Sequence, residues 1–211
     1  MRNSTSPLAS ALTLLPALQR RAVRFLHALS QMQWTGRLRA LYMGCLSRTS
    51  TPGSWAPIDA AELGPLAVWQ QLRSLRIRNL TSFHPDLLDA LRQLTALTSL
   101  ALSAQRGIGV PQLDCGVFHV AGSALTRLES LSINGGQRTS IQCLPDAMSS
   151  LTLLRHLEVH GVTILDTCHV ILTLTALTRL DIWWGPELPG TMPLWITRCR
   201  PARTRCAASW S

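Results

Sequence analysis

Leu72-Arg-Ser-Leu75-Arg-Ile77, Leu97-Thr-Ser-Leu100-Ala-Leu102, Leu128-Glu-Ser-Leu131-Ser-Ile133, Leu154-Arg-His-Leu157-Glu-Val159 and Leu177-Thr-Arg-Leu180-Asp-Ile182 are copies of one grid, Leu-x-x-Leu-x-(Leu/Ile/Val). Their first leucines lie 25, 31, 26 and 23 residues apart (97−72, 128−97, 154−128, 177−154). A degenerate sixth copy, Leu38-Arg-Ala-Leu41-Tyr-Met43, lies 34 residues upstream of the first (72−38). One match in a leucine-rich chain is a chance event; five at near-regular spacing mark an internal repeat. The second half of each grid has the period of a strand, so Leu75 and Ile77 point one way and Arg76 and Arg78 the other. A single unit buries little, whereas stacking joins the leucines into one core and aligns the strands as a parallel sheet.

On these grids the chain resembles the leucine-rich repeat family, over roughly residues 36–196. Phrases such as Leu94-Thr-Ala-Leu-Thr-Ser-Leu100 and Leu144-Pro-Asp-Ala-Met-Ser-Ser-Leu-Thr-Leu-Leu-Arg-His-Leu157 are similar to its intracellular plant and algal members. The resemblance implies an α/β solenoid, with a curved parallel sheet on the concave side and short helices and loops on the convex side. It also implies that the concave sheet binds another macromolecule. In the family an asparagine follows the grid and bonds neighbouring turns; the equivalent positions here are Leu80, Gln105, Gly136, Val162 and Gly185. Together with the uneven spacing, this points to a partial or irregular array.

Between grids the chain offers helical stretches. Asp86-Leu-Leu-Asp-Ala-Leu91 follows His84-Pro85, and Leu144-Pro-Asp-Ala-Met-Ser-Ser-Leu151 carries proline near a helix start, where its missing N–H costs little. Gly107, Gly109, Gly135, Gly136 and Gly185 are expected to turn the chain just after strands. Gln105 to Ser123 is the longest insertion and is expected to protrude as a loop. The resulting division is an N-terminal basic segment or capping helix over 1–35, the repeat domain over 36–196, and a basic, disordered tail over 197–211.

At 211 residues and 46% hydrophobic the chain can bury a core. Its charged content of 15% is well below the roughly 25% of an average globular protein. All 20 basic residues are arginine, which reads as genome composition rather than a binding requirement. No acidic residue precedes Asp59, while Arg2, Arg20, Arg21, Arg24, Arg37, Arg39 and Arg48 do. An acid-free, arginine- and serine-rich start fits an organelle-targeting segment. Leu18, Ala22, Phe25, Leu26 and Leu29, however, lie near one face at helical spacing, so a helix over Ala17 to Leu29 capping the array is the favoured reading. The same region faintly resembles the start of an F-box, which would make the chain a substrate-recognition adaptor of a ubiquitin ligase. No run reaches the roughly 18 apolar residues that span a bilayer, and Pro16 and Arg20-Arg21 break the pattern of a secretory signal. A cytoplasmic protein is expected, with organelle import as the alternative.

Cys45, Cys115, Cys143, Cys168, Cys199 and Cys206 are too scattered for a disulfide framework or a zinc site, and reduced thiols are expected. His156 and His160 share a strand face about 13 Å apart by rise, too far to chelate one ion. There is no P-loop, GxSxG or HExxH, and Gly107-Ile-Gly109 lacks the rest of a dinucleotide fingerprint. The expectation is therefore a protein that is not an enzyme and has no cofactor and no metal.

The outward positions of the strands are then the candidate binding residues. In repeat order they are Arg76 and Arg78, Ala101 and Ser103, Ser132 and Asn134, Glu158 and His160, and Asp181 and Trp183. Eight of them, Arg76, Arg78, Ser103, Asn134, Glu158, His160, Asp181 and Trp183, form the predicted partner site. Arginine and tryptophan are enriched in binding hot spots, and of the adjacent Trp183 and Trp184 only one can face outward. The expected function is a non-catalytic scaffold that binds a protein partner. Nucleic-acid binding through the basic termini, including Arg198, Arg200, Arg203 and Arg205, is a weaker alternative.

Overall fold

The computed structural model describes residues 11–13, 38–44, 58–104, 116–166 and 168–183. Seven strands lie side by side in chain order, each parallel to the next: β1 (Ala11–Thr13), β2 (Ala40–Met43), β3 (Ser74–Leu80), β4 (Ser99–Ala104), β5 (Ser130–Cys143), β6 (His156–Asp166) and β7 (Arg179–Trp183). The grids are in register. One row runs through Leu41, Leu75, Leu100, Leu131, Leu157 and Leu180, and a second through Met43, Ile77, Leu102, Ile133, Val159 and Ile182. Both rows point into one continuous core, in which every member but the half-buried Ile182 is at most 8% exposed.

Four repeats enter their strands, β3, β4, β6 and β7, through two consecutive tight turns. Leu94 N–H donates to the Leu91 carbonyl and Leu97 N–H to the Leu94 carbonyl, both at 3.0 Å. The pair recurs at Trp69 and Leu72, Leu151 and Leu154, and Leu174 and Leu177, over 2.8–3.2 Å. Steps of three residues keep Leu91, Leu94, Leu97 and Leu100 all facing the core, where they are fully or almost fully buried. This spacing explains why leucines outside the strand grid also recur.

Neighbouring repeats are stitched at the strand entrance. The Arg73 carbonyl accepts Thr98 N–H at 2.8 Å and Ser99 N–H at 3.0 Å, and Thr98 Oγ1 adds a third donor at 3.1 Å. The carbonyls of Arg39, Thr98, Glu129 and Arg155 likewise each accept two successive amides of the next repeat, all within 2.7–3.1 Å. A carbonyl ladder thus joins adjacent repeats at the strand entrance. One asparagine does reach the interior, a residue ahead of its expected place. Asn79 is buried with φ 67°, a conformation asparagine tolerates, and is the extra residue in β3 between the Arg78–Ser103 and Leu80–Ala104 pairs. Its carbonyl accepts Ile58 N–H at 2.9 Å, which clips the preceding segment to the sheet.

Short helices cover the opposite side: a 3-10 helix (Ala60–Val68), α1 (Pro85–Gln93), α2 (Gly116–Ala124), a second 3-10 helix (Asp146–Ser150) and α3 (Cys168–Thr173), packed one against the next. In α1 Pro85 occupies the first turn and His84 Nδ1 accepts Asp86 N–H at 3.3 Å, while Leu87, Ala90 and Leu91 face inward. In the first 3-10 helix Asp59 is the cap, its Oδ1 accepting Ala61 N–H at 3.0 Å. Asp59→Ala is expected to cost about 1 kcal/mol, read as a lowered midpoint in urea unfolding with the slope unchanged.

Two local expectations are corrected. The stretch Gln105 to Ser123 is not one loop, because α2 claims its second half. Val117, Phe118, Val120 and Ala121 are buried there, an apolar face at helical spacing. Gly135 and Gly136 do not end a strand; they lie inside β5 where its register against β6 shifts between Asn134 and Thr139, after which pairing resumes through Ile141 and Ile164. The helical stretch expected within Leu144 to Leu151 is the second 3-10 helix, with Pro145 at its cap. The expected helix over Ala17 to Leu29, Gly107, Gly109 and Gly185 and the basic tail lie outside the described residues.

Candidate functional site

The alternation that buries the leucines turns three other rows outward. The first runs Ala40, Ser74, Ser99, Ser130, His156 and Arg179; the second runs Tyr42, Arg76, Ala101, Ser132, Glu158 and Asp181. The third runs Arg78, Ser103, Asn134, His160 and Trp183. All eight residues expected from sequence therefore take positions on one concave face. Arg76 and Arg78 are exposed on β3; Ser103, Asn134, Glu158, His160 and Asp181 are half-buried. Trp183 stands in register beside His160 at the end of β7, and its side chain lies outside the described residues.

The first row was not anticipated. Ser74, Ser99, Ser130, His156 and Arg179 each occupy the second x of Leu-x-x-Leu, one step before the buried leucine. The period of two extends back over that residue, so the signal was present once the strand start was moved forward by one. Gly44, which follows β2, belongs to the same surface: at φ 156° a Cβ there would stand 2.9 Å from Arg78 Cβ, so the glycine lets the arginine stem lie across it.

Charge is distributed unevenly over this face. Tyr42, Arg76 and Arg78 make one end aromatic and basic. At the other end Glu158 Oε1 lies 2.7 Å from His160 Nε2, and Arg179 Nε donates to Asp181 Oδ2 at 2.6 Å. Arg179 is largely exposed whereas Asp181 is 15% exposed, so the arginine covers the acid as much as it neutralises it. Between the two ends, these three rows cross β4 and β5 through Ser99, Ala101, Ser103, Ser130, Ser132 and Asn134. A shallow depression of about 130 Å³ opens beside this trough, lined by Ser130, His156, Glu158, Arg179 and Asp181 among others. Small-molecule sites are typically about 300–1,000 Å³, so the depression is relief on a surface rather than a ligand chamber. Among the described residues no group of three or more His, Cys, Asp or Glu could hold a metal ion. No helix among them is long and apolar enough to cross a membrane.

The leucine-rich repeat ectodomain of the plant membrane receptor kinase GASSHO1/SCHENGEN3 from Arabidopsis thaliana, solved in complex with Casparian strip integrity factor 2, matches 73% of this chain at a TM-score of 0.51 and 19% identity. The chain folds as a leucine-rich repeat solenoid. An internalin from Listeria monocytogenes also matches over 73% of the chain, at a TM-score of 0.42 and 18% identity. The chain spans only 16% of the receptor ectodomain and 44% of the internalin. No protein-family model matches the sequence, and no curated protein does. The solenoid's repeats are uneven, with β5 and β6 running to Cys143 and Asp166 while β4 and β7 stop at Ala104 and Trp183, which makes the array irregular.

Proposed function

We propose that this chain is a non-catalytic recognition module that binds a protein partner through the concave face of its solenoid, acting as a scaffold of the intracellular plant and algal type in the cytoplasm. The observation that carries this reading is the continuity of the outward face: register rows run unbroken from Tyr42 to Asp181 on a sheet held by the carbonyl ladder. A surface fixed before binding loses little freedom on association, which favours affinity from modest contacts. The three register rows, charged at both ends and uncharged where they cross β4 and β5, suit a polar macromolecular surface better than an apolar ligand. The Arabidopsis ectodomain, solved with Casparian strip integrity factor 2 bound, supports the reading as an analogy of fold. The ligase-adaptor and nucleic-acid alternatives rest on terminal segments outside the described residues.

The test is partner capture from a soluble lysate of the source cell. The baits are the intact chain and an Arg76→Glu/Trp183→Ala variant matched to it by circular dichroism, each with and without nuclease. Partners retained by the intact chain and lost by the variant are the expected result. Equal recovery by both baits, or loss on nuclease treatment, would move the binding surface to the basic termini.

A further inference from the structure

The concave face is not a uniform surface but a channel with a charge at each end, and this restricts what can lie across it. On β3, Arg76 is exposed, and among the described residues no carboxylate stands within ion-pair distance of it. In the same register row, three strands away, Glu158 on β6 projects half-buried, its Oε1 2.7 Å from His160 Nε2. The row between them holds only Ala101 and Ser132. The neighbouring rows hold Ser99, Ser130, Ser103 and Asn134. Neighbouring strands are about 4.8 Å apart, so Arg76 and Glu158 face the channel at about 14 Å from one another.

We infer that the channel binds a single extended polypeptide segment laid across the strands, with an acidic side chain on Arg76 and a basic side chain on Glu158 about four residues apart. The inference rests on the protein-recognition reading above and deepens it. An extended chain rises about 3.3–3.4 Å per residue, so four residues cover the distance between the two charges. Helical rise of about 1.5 Å would need about nine, and a helix of about 10 Å diameter would stand its backbone well above the serines. The floor of small side chains lets an extended backbone come close, and the hydroxyls of Ser99, Ser130 and Ser132 can donate to its carbonyls and accept from its amides. Nucleic acid fits poorly, because a phosphate chain that satisfied Arg76 would meet the Glu158 and Asp181 carboxylates at the other end.

The probes are blocked, fluorescein-labelled nine-residue peptides in a serine/alanine host. One carries aspartate third and arginine seventh, one carries the reverse order, one carries the pair only two residues apart, and one is neutral. Anisotropy titration of the full chain at low salt is expected to show one of the two orders binding about fivefold or more tightly than the neutral and short-spaced peptides. The charge-exchanged variant Arg76→Glu/Glu158→Arg should prefer the opposite order, and Arg76→Gln or Glu158→Gln should each bring the preferred peptide to the neutral level. Both positions lie on the outward face, and circular dichroism reads whether each variant folds. Equal binding of all peptides, or an order preference untouched by the exchange, would overturn the segment assignment. Should lysate partners still be lost by Arg76→Glu/Trp183→Ala in that case, protein recognition by the face stands and only the extended-segment geometry fails.

Discussion

Leu131→Ala is expected to destabilise the chain by about 2–5 kcal/mol, the range of a fully buried leucine truncated in a core. Leu131 has no exposed surface and stands in register between Leu100 and Leu157, so its side chain belongs to the repeat before and the repeat after at once. In a stacked array the total stability is a sum of weak repeats and strong nearest-neighbour interfaces. Removing the Cγ methine and its two methyl groups at this place weakens two interfaces together, and the cavity left behind adds to the lost transfer energy. Unfolding is therefore expected to broaden as well as shift, the segments on either side losing their coupling. Urea unfolding followed by circular dichroism, with amide exchange to show which repeats open first, checks both parts. Leu172→Ala is the control: this leucine is 68% exposed on α3, and its truncation is expected to stay within about 0.5 kcal/mol. Equal losses from the two would mean that the register rows do not carry the stability.

That contrast between two leucines also shows how far the sequence could be read. Leu131 announces its role because a strand alternates and a stack repeats, so its neighbours Leu128 and Ile133 and the grids before and after all point to the same burial. The sheet, its parallel order and the face carrying Arg76, Glu158 and Asp181 follow from that one pattern. What escaped was set by contacts rather than by period. The second half of the 105–123 insertion became α2 because Phe118 and Val120 find a core to enter. The bulge at Asn79 and the continuation of β5 beyond Gly135 depend on which residue of the next strand lies opposite, and a single repeat does not contain that information. The pairing of Arg179 with Asp181 and of Glu158 with His160, each two residues apart on one strand, is a matter of rotamers that alternation alone does not set.

Two glycine-to-alanine substitutions are expected to act in opposite directions. In a helix the exchange ordinarily stabilises, by about 0.4–1 kcal/mol, because glycine loses more backbone freedom on folding. Gly64, exposed in the first 3-10 helix, has nothing within 4 Å of where its Cβ would stand, so Gly64→Ala should follow that rule. Gly122 is buried on α2, where its bare backbone lies against the second 3-10 helix. A Cβ there would meet the Ala147 carbonyl group and stand 2.5 Å from Met148 N. Ser150 Oγ fastens the same junction, donating to the Gly122 carbonyl and standing 2.8 Å from the Ala147 carbonyl oxygen. The atoms in the way are backbone, so they cannot swing aside as a side-chain tip would; α2 and the turn at Ala147 must separate. Overpacking of this kind costs about 1–3 kcal/mol, which outweighs the helix-propensity gain and reverses the sign. Paired denaturant melts of the two variants against the parent should therefore bracket it, Gly64→Ala above and Gly122→Ala below, and Ser150→Ala on the Gly122→Ala background should add less than it does alone, since the junction it fastens has already opened. A stabilised Gly122→Ala would show that α2 does not rest on the turn at Ala147, and the order of helices along the convex side would have to be redrawn.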